Sequence, residues 1–522
     1  MRSVLPARRR PAAGEPTTPA RRISVPRPLL LLLFVVFVTT STWAFATPAW
    51  QVPDEPQHFG YAETLVEQGG KPTRGDAEDP AARIAGIPAS GQYGEISRQS
   101  RDAMAQSNGY PVAFNTYAKP PWSSEAQRRY DAIADRGSRK DGGRRTGATG
   151  YPPLYYAIET IPYRLASSGT AIDRLYAMRW VSGLWALVGT IGAWLLAGEV
   201  FRRRRLPQLA AAATIGLWPM ISFLSGGVNP DAMLTALSLL VLWLAVRVAL
   251  HGTTWRPALA LLVLVGAATA TKVSGAALAP AAAFAILYGL PVVRSRVGAS
   301  VPRLLGLVAA LVVGALAVVF VGGALKVFPP QLQVIADTRP NLREFGSYLW
   351  QFYLPKLAFM DDMVFQYPVV SERPVLNLWI GSSWGAFGWV NVWFPRWAMH
   401  LFLAITVLIG VAAARAGRIG WKGRERERSA PFAAAMVVLA IAALGVFGGV
   451  HLQDFINGTD GNLPFAQGRY LFPVAGIGAL AVGAAAMAFP RRLRPGAAGG
   501  WLAFLVVLQI AALALTATRY YA

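Results

Sequence analysis

Cysteine is absent from all 522 residues of the sequence. Its absence excludes disulfide bonds, thiolate metal sites and catalysis by a nucleophilic cysteine. Acidic residues are also scarce: 27 Asp and Glu stand against 50 Lys and Arg, which gives a net charge of +23. In a soluble protein such an excess would indicate nucleic-acid binding, but neither a basic face nor an aromatic reading module accompanies it here. Nucleic acid is therefore not an expected partner.

Long apolar runs are abundant. Hydrophobic residues make up 54% of the chain, and the mean hydropathy is +0.37. A helix needs about 20 mostly apolar residues to cross a bilayer, and about eleven stretches meet this requirement. None has the alternating pattern of a transmembrane barrel, so the predicted fold class is all-α membrane. The predicted spans are 28–47, 177–199, 206–224, 232–250, 257–271, 274–291, 304–325, 397–414, 431–450, 470–489 and 498–517.

The residues before the first apolar run are basic and poor in apolar side chains. Residues 1–27 are predicted to be a disordered cytoplasmic tail. A cleaved signal peptide ending near Ala44-Phe45-Ala46 is the alternative explanation of the first run. Because that run is longer than a usual signal core, an uncleaved first helix is favoured.

The remaining residues, 28–522, are predicted to form a single polytopic membrane domain. Two long extracytoplasmic loops interrupt it, at 48–176 and 326–396. Amphipathic, aromatic segments at 151–168 and 341–360 predict helices that lie in the membrane interface.

Positive charge alternates between the two ends of the predicted spans. With the N-terminus placed in the cytoplasm, the short inner loops are rich in Lys and Arg and the short outer loops are nearly free of them. The sequence therefore predicts a multi-pass protein of the plasma membrane. The inner-loop cations are Arg202 to Arg205, Arg256, Arg294, Arg296, Arg303, Arg415, Arg418, Lys422, Arg424, Arg426, Arg428, Arg491, Arg492 and Arg494.

Two cations break this alternation. Lys272 and Arg469 stand at the outer ends of spans, where the charge rule disfavours them. Snorkelling to the interface is one explanation. Binding of an anion at the outer leaflet explains the placement better.

Other chemically active residue types are predicted at the same outer face. Charged groups beside hydrocarbon are costly and usually mark a site. The candidate catalytic residues are Asp54 and Glu55, directly after the first span. The candidate substrate-binding residues are His58, Tyr151, Asn229, Asp231, Lys272, Gln467, Arg469 and Tyr470.

This combination of side chains suits transfer of a sugar from a lipid phosphate. Arg and Lys can hold a phosphate, and a carboxylate can accept the proton of an attacking hydroxyl. If the segment after Asp54 is helical, Asp54, Glu55 and His58 share one face. That face could instead hold a divalent metal, with Asp361 or Asp362 as a further ligand. No other cofactor is indicated.

Six blocks of the sequence resemble those of a known class of enzymes. The chain resembles the GT-C class of polytopic glycosyltransferases, and more specifically a bacterial family of predicted membrane proteins, domain-of-unknown-function family 2142. The blocks are Pro53-Asp54-Glu55-Pro56-Gln57-His58-Phe59, Tyr151-Pro152-Pro153-Leu154-Tyr155-Tyr156, Val228-Asn229-Pro230-Asp231, Thr271-Lys272, Gly385-Ala386-Phe387-Gly388-Trp389 and Gln467-Gly468-Arg469-Tyr470-Leu471-Phe472-Pro473.

The resemblance implies a polyprenyl-phosphate sugar donor, an extracytoplasmic active site and inversion at the sugar carbon. It identifies neither the sugar nor the acceptor, for which a cell-envelope glycan, lipid or protein is the expectation. It assigns the catalytic acid to Asp54 or Glu55.

Other interpretations of the same residues stay open. The chain could be a lipid or glycan transporter or flippase, although transporters place their binding groups near the bilayer midplane. It could also be a non-catalytic membrane protein of envelope assembly. Asp54, Asn229 and Asp231 could be helix caps, and the tyrosines could be interface anchors.

Overall fold

The computed structural model describes residues 25–72, 96–134, 136–142, 148–298, 300–326, 333, 341–360, 375–422, 426–459 and 466–522. The predicted tail at 1–27 lies outside these ranges apart from its last three residues, and so do Asp361 and Asp362. The described residues are overwhelmingly helical.

The helices are numbered in chain order. They are α1 (Arg27–Ala46), α2 (Glu55–Glu67), α3 (Arg98–Gln106), α4 (Gly109–Phe114), α5 (Ser124–Ile133), α6 (Leu154–Leu165), α7 (Ala171–Val200), α8 (Arg205–Gly216), α9 (Pro219–Ser225), α10 (Pro230–His251), α11 (Trp255–Thr271), α12 (Ala279–Gly289), α13 (Pro291–Val297), α14 (Val301–Ala324), α15 (Leu342–Tyr353), α16 (Ser382–Trp384), α17 (Arg396–Lys422), α18 (Arg426–Thr459), α19 (Ala475–Ala488) and α20 (Arg494–Tyr521). Two 3₁₀ segments (Val273–Leu278 and Gly468–Val474), one π-helical segment (Val375–Gly381) and a two-stranded antiparallel hairpin (Ala386–Phe387 with Val392–Trp393) complete the described structure.

The long apolar helices confirm the all-α membrane class. Within the described residues, seven helices are long and apolar enough to cross a bilayer, and two bent helix pairs bring the number to nine. Two shorter apolar helices, Trp255–Thr271 and Val301–Gly314, match the remaining predicted spans. Every predicted apolar stretch is therefore found in helical structure.

Helix α10 lies at the centre of the bundle, and most of its residues are buried. It packs against α7, α11, α12 and α18. Its start is fixed by Asn229, whose side chain accepts a hydrogen bond from the Asp231 backbone N–H at 2.9 Å, and by Pro230 in the first turn. This start lies at the end of the bundle where α1 ends and α2 begins, hereafter the site end.

The first long loop folds back onto the site end. Its helix α2 packs on α6, and the buried carboxylate of Glu63 accepts hydrogen bonds from Ser97 and Ser100, which begin α3. Burial raises the pKa of Glu63 despite these hydrogen bonds. The predicted helix at 151–168 is present as α6.

The second long loop contributes helix α15 and the hairpin. The hairpin turn places Gly388 at φ +60°, a backbone conformation that favours glycine. Beside it, the indole Nε1 of Trp389 donates to the Trp50 carbonyl at 2.9 Å, and Asn391 donates to the Ala113 carbonyl at 2.9 Å. The hairpin is thus fastened to the first loop.

The last helix is fastened to the first loop as well. Near the end of α20, Arg519 donates to the backbone carbonyls of Val112, Asn115 and Ala118. In return, Lys119 donates to carbonyls of the last residues of the chain. These reciprocal bonds satisfy carbonyls that a helix C-terminus leaves unpaired.

Candidate functional site

Four charged side chains from distant parts of the sequence form one alternating row at the site end. Arg469 Nη2 lies 3.4 Å from Asp54 Oδ2, and Arg469 Nε lies 3.8 Å from Asp231 Oδ2. The other oxygen of Asp231, Oδ1, lies 2.6 Å from Lys272 Nζ. The row therefore runs Asp54, Arg469, Asp231, Lys272, with each carboxylate beside a cation.

Asp54 is the exposed end of this row. It directly precedes α2 with φ 60° and ψ 12°, a left-handed conformation that is uncommon outside glycine and is better tolerated by Asp and Asn than by most residues. Within the described structure its side chain makes no capping hydrogen bond to α2, and it is 40% exposed. The carboxylate is thus directed away from its own helix.

Asn229 holds the chain next to Asp54. Its side-chain Nδ2 donates to the Pro53 carbonyl at 3.3 Å, while its Oδ1 accepts from the Asp231 backbone. One amide therefore links the start of α10 to the residue before Asp54, so that it fixes both carboxylates of the row.

Lys272 occupies the junction between α11 and the following 3₁₀ segment. Burial disfavours its charge, but the adjacent Asp231 carboxylate outweighs this and holds the pKa of Lys272 above its usual value. The ammonium lies over the rings of Tyr151 and Tyr470, at 5.5 Å and 5.0 Å from their centroids. These contacts bring both predicted tyrosines into the site.

Arg469 is the most deeply buried cation of the row, with 4% of its side chain exposed. Its guanidinium lies 5.3 Å from the Tyr470 ring centroid. Among the described residues, neither Nε nor Nη1 has a hydrogen-bond partner. Buried donors without partners are rare and costly, so this guanidinium is chemically suited to a multidentate anion such as phosphate.

The segment that carries Arg469 is fixed by its neighbours. The backbone N–H of Gly468 donates to Ser382 Oγ at 2.7 Å, and that of Ala466 donates to Asp454 Oδ1 at 3.1 Å. Gln467 lies between them, and no hydrogen bond joins its side chain to the charged row within the described ranges.

A buried hydrogen-bond network supports the segment that carries Arg469. Tyr348 of α15 donates to Asp454 Oδ2 at 2.9 Å, and its hydroxyl is also 2.9 Å from His451 Nδ1. The other ring nitrogen of His451 is 2.7 Å from the Tyr353 hydroxyl. The second loop thus supports the Arg469 segment through α18.

His58 lies beneath the row. Its Nδ1 is 2.9 Å from the Tyr156 hydroxyl, and its ring stacks on Tyr151 with the centroids 5.9 Å apart. Burial lowers the pKa of His58 to about 4 and raises that of Tyr156 well above its usual value. Both side chains are therefore neutral at physiological pH.

The lowered pKa of His58 predicts a loss of stability in mild acid. The unfolded chain takes up a proton at His58 below about pH 6.5, whereas the folded chain resists protonation until about pH 4. Stability should therefore fall between these pH values, by about 2 kcal/mol at pH 5. Melting temperatures of the solubilised protein at pH 7.5 and pH 5.0 measure this drop. It should shrink in His58→Gln and persist in His400→Gln, which changes an exposed histidine.

Glu55 has a different environment from its neighbour Asp54. It is fully buried and forms a two-bond ion pair with Arg179, with Nε–Oε1 at 2.8 Å and Nη2–Oε2 at 2.6 Å. Its oxygens also accept the backbone N–H groups of Trp50 and Val228, at 3.0 Å and 3.1 Å. This carboxylate is therefore not accessible, and its contacts are structural.

The sequence motifs give no prediction for Arg179, although its contacts place it at the site. Besides Glu55, it donates to the carbonyls of Ala44, Thr47 and Pro48, at 2.7–2.9 Å. The available signal was its position inside the predicted span 177–199, because an arginine inside a span normally has a partner.

The metal hypothesis joins Asp54, Glu55 and His58 with Asp361 or Asp362, and the last two lie outside the described residues. In the part of the chain that the structure describes, no group of three or more His, Asp or Glu residues could hold a metal ion. Glu55 is directed at Arg179 while His58 is directed at Tyr156. Although the segment is helical, as the metal hypothesis required, these two side chains have separate partners.

The model of one protein family, described as a predicted membrane protein family (DUF2142), matches residues 37–477. No curated protein matches the sequence.

Several solved membrane proteins are similar in structure. The archaeal oligosaccharyltransferase AglB from Archaeoglobus fulgidus, in complex with an inhibitory peptide and a dolichol-phosphate, is 13% identical with a TM-score of 0.44, over 94% of this chain and 55% of that one. ArnT from Cupriavidus metallidurans, bound to undecaprenyl phosphate, is 15% identical with a TM-score of 0.41, over 92% and 63%. Arabinosyltransferase EmbB from Mycobacterium smegmatis is 13% identical with a TM-score of 0.35, over 98% and 43%. The chain spans about half the length of these proteins.

Proposed function

Because the chain belongs to the DUF2142 family of predicted membrane proteins and places a partly exposed carboxylate against a buried arginine, we propose that it is an integral-membrane glycosyltransferase. It moves a sugar from a polyprenyl-phosphate donor to a hydroxyl-bearing acceptor of the cell envelope. The observation that carries this proposal is the contact between Asp54 and Arg469, which joins a proton acceptor to a phosphate-binding group.

Asp54 is the proposed general base. It accepts the proton of the acceptor hydroxyl as that oxygen forms a bond to the anomeric carbon of the sugar. The bond from the anomeric carbon to the phosphate oxygen breaks, and the electron pair leaves with the polyprenyl phosphate. Attack opposite the leaving group gives inversion. Glu55 is assigned a positioning role, because all its described contacts hold the turn at Asp54.

Arg469 and Lys272 are the proposed phosphate-binding groups. Arg469 offers two buried nitrogens, Nε and Nη1, that have no hydrogen-bond partner within the described structure. Lys272 adds a second positive charge on the other side of Asp231. Cations placed beforehand at the leaving phosphate stabilise the negative charge that develops there. Tyr151 and Tyr470 flank the lysine and would border the sugar-phosphate.

The same proposal includes the orientation of the chain. The N-terminus is placed in the cytoplasm of a plasma membrane and the site end outside it, because the basic loops lie at the opposite end. The donor would then enter from the outer leaflet.

Replacing Arg469 should weaken donor binding selectively. We expect Arg469→Lys to raise the KM for the polyprenyl-phosphate sugar about tenfold and Arg469→Ala to raise it further, because charge-assisted bonds to phosphate are lost. The KM for the acceptor should change little. Steady-state kinetics with reconstituted protein measure both, and Arg128→Ala, an exposed arginine of α5, is the control. An equal loss of apparent affinity for the donor and for the acceptor would instead indicate a folding defect.

Analysis of envelope glycans tests the reaction itself. A strain lacking the protein should accumulate a lipid-linked sugar and lose one glycan modification, as measured by mass spectrometry. The wild-type gene should reverse both changes, and an Asp54→Asn gene should reverse neither. Complementation by the Asp54→Asn gene would support a non-catalytic role, and labelled substrate crossing vesicles without bond exchange would support a transporter.

A further inference from the structure

A large groove lies at the end of the bundle opposite the charged row. Its volume is about 1060 Å³. It lies among the last turns of α7 and α19 and the first turns of α14 and α18, with the described end of α17 as a further wall. The charge pattern predicts that these helix ends face the cytoplasm.

The walls of the groove are apolar and contain many small side chains. Leu304, Leu305 and Val308 of α14 form one side. Ala433 of α18 and Ala481 and Ala484 of α19 are among the small side chains on the others. Small residues on several helices leave room for an elongated apolar chain between them.

The cytoplasmic rim of the groove is cationic. Arg202, Arg204 and Arg418 line it, and all three are exposed. Arg202 and its neighbour Arg203 adopt left-handed backbone conformations, at φ 52° and 57°. Such conformations are unfavourable for non-glycine residues and persist only where the surroundings hold them.

We propose that this groove binds an anionic phospholipid of the cytoplasmic leaflet. The acyl chains fill the apolar groove, and the phosphate meets the arginines at its rim. A zwitterionic lipid carries the same phosphate, but its ammonium would be repelled by the three guanidinium groups. The occupant is therefore distinguished by its headgroup charge, and this inference does not depend on the proposed transferase activity.

Native mass spectrometry of the solubilised full-length protein tests the headgroup preference. The probes are phosphatidylglycerol and phosphatidylcholine with identical acyl chains. We expect wild type to retain phosphatidylglycerol preferentially, and Arg202→Gln/Arg204→Gln/Arg418→Gln to reduce that preference at least about tenfold. The control is Arg296→Gln/Arg491→Gln/Arg492→Gln, which removes three exposed arginines of the same end outside the groove.

A second pair of variants tests the groove without changing charge. Ala481→Leu/Ala484→Leu narrows it and should lower retention of both lipids, whereas Ala503→Leu/Ala514→Leu on an exposed face of α20 should not. Equal retention of the two lipids by wild type would overturn the proposal. So would an equal loss in the two triple-arginine variants, or retention unaffected by filling the groove.

Discussion

Asp54→Asn should reduce glycosyl transfer by about 10²–10⁴-fold while the protein stays folded. Asparagine has almost the same shape as aspartate and tolerates the left-handed backbone found at this position. Within the described structure the Asp54 side chain does not cap its helix, so little stability should be lost. The change removes the proton acceptor and the negative charge beside Arg469, and it keeps the shape of the side chain. Single-turnover transfer with saturating donor isolates the chemical step.

Two comparisons make the Asp54→Asn result decisive. Asp131→Asn makes the same chemical change at an exposed position of the same loop and should leave the rate unaltered. The melting temperature of Asp54→Asn should match that of wild type. Full activity in a correctly inserted Asp54→Asn protein would refute the assignment of the base, and a large fall in melting temperature would mean that Asp54 is structural.

Breaking the pair of Glu55 and Arg179 should have the largest effect on stability. Removing one partner of a buried ion pair leaves an uncompensated charge and costs about 3–5 kcal/mol. We therefore expect Glu55→Gln and Arg179→Met each to lower the melting temperature sharply and to reduce the yield of inserted protein. Thermal unfolding of the purified variants measures the loss.

The apolar double variant separates this pair from simpler ones. Replacing both members of a buried pair by apolar residues is often neutral. Here Glu55→Met/Arg179→Leu should remain unstable, because two backbone N–H groups and three backbone carbonyls would lose their partners. Arg247→Met, which removes the exposed partner of a pair with the partly buried Glu199, is the control and should cost less than about 1 kcal/mol. Rescue by the double variant would show that the backbone contacts contribute little.

The sequence predicts the spans, and the differences between their predicted and observed bounds have local causes. The predicted span 206–224 is a helix pair bent by 54°, because Pro219 opens the second helix and cannot continue the first. Helix α7 begins at Ala171, before the predicted residue 177, because Thr170 and Asp173 form a capping box. Helix α18 continues past residue 450. There His451, which is hydrogen-bonded to Tyr348, and Asp454, which accepts from the Ala466 backbone N–H, replace apolar side chains.

Because the sequence assigns each of these charged residues to the same membrane face, it predicts that they lie near one another. They are Asp54, Asp231, Lys272 and Arg469. What the sequence could not separate were the roles of Asp54 and Glu55. These neighbouring acids have opposite environments because the left-handed turn at Asp54 sends one side chain outward and the other toward Arg179. That direction depends on tertiary contacts, including the bond from Asn229 to Pro53, which no local pattern encodes.

The contact between Asp54 and Arg469 joins residues 415 positions apart. At ordinary elongation rates, the ribosome therefore adds Arg469 on the order of 20–80 s after Asp54. Glu55 needs only 124 further residues to reach Arg179, so this ion pair can form long before Arg469 has been added. The nascent chain therefore lacks the contact between Asp54 and Arg469 until residue 469 has been added, and termination before codon 469 should leave the charged row without its buried arginine.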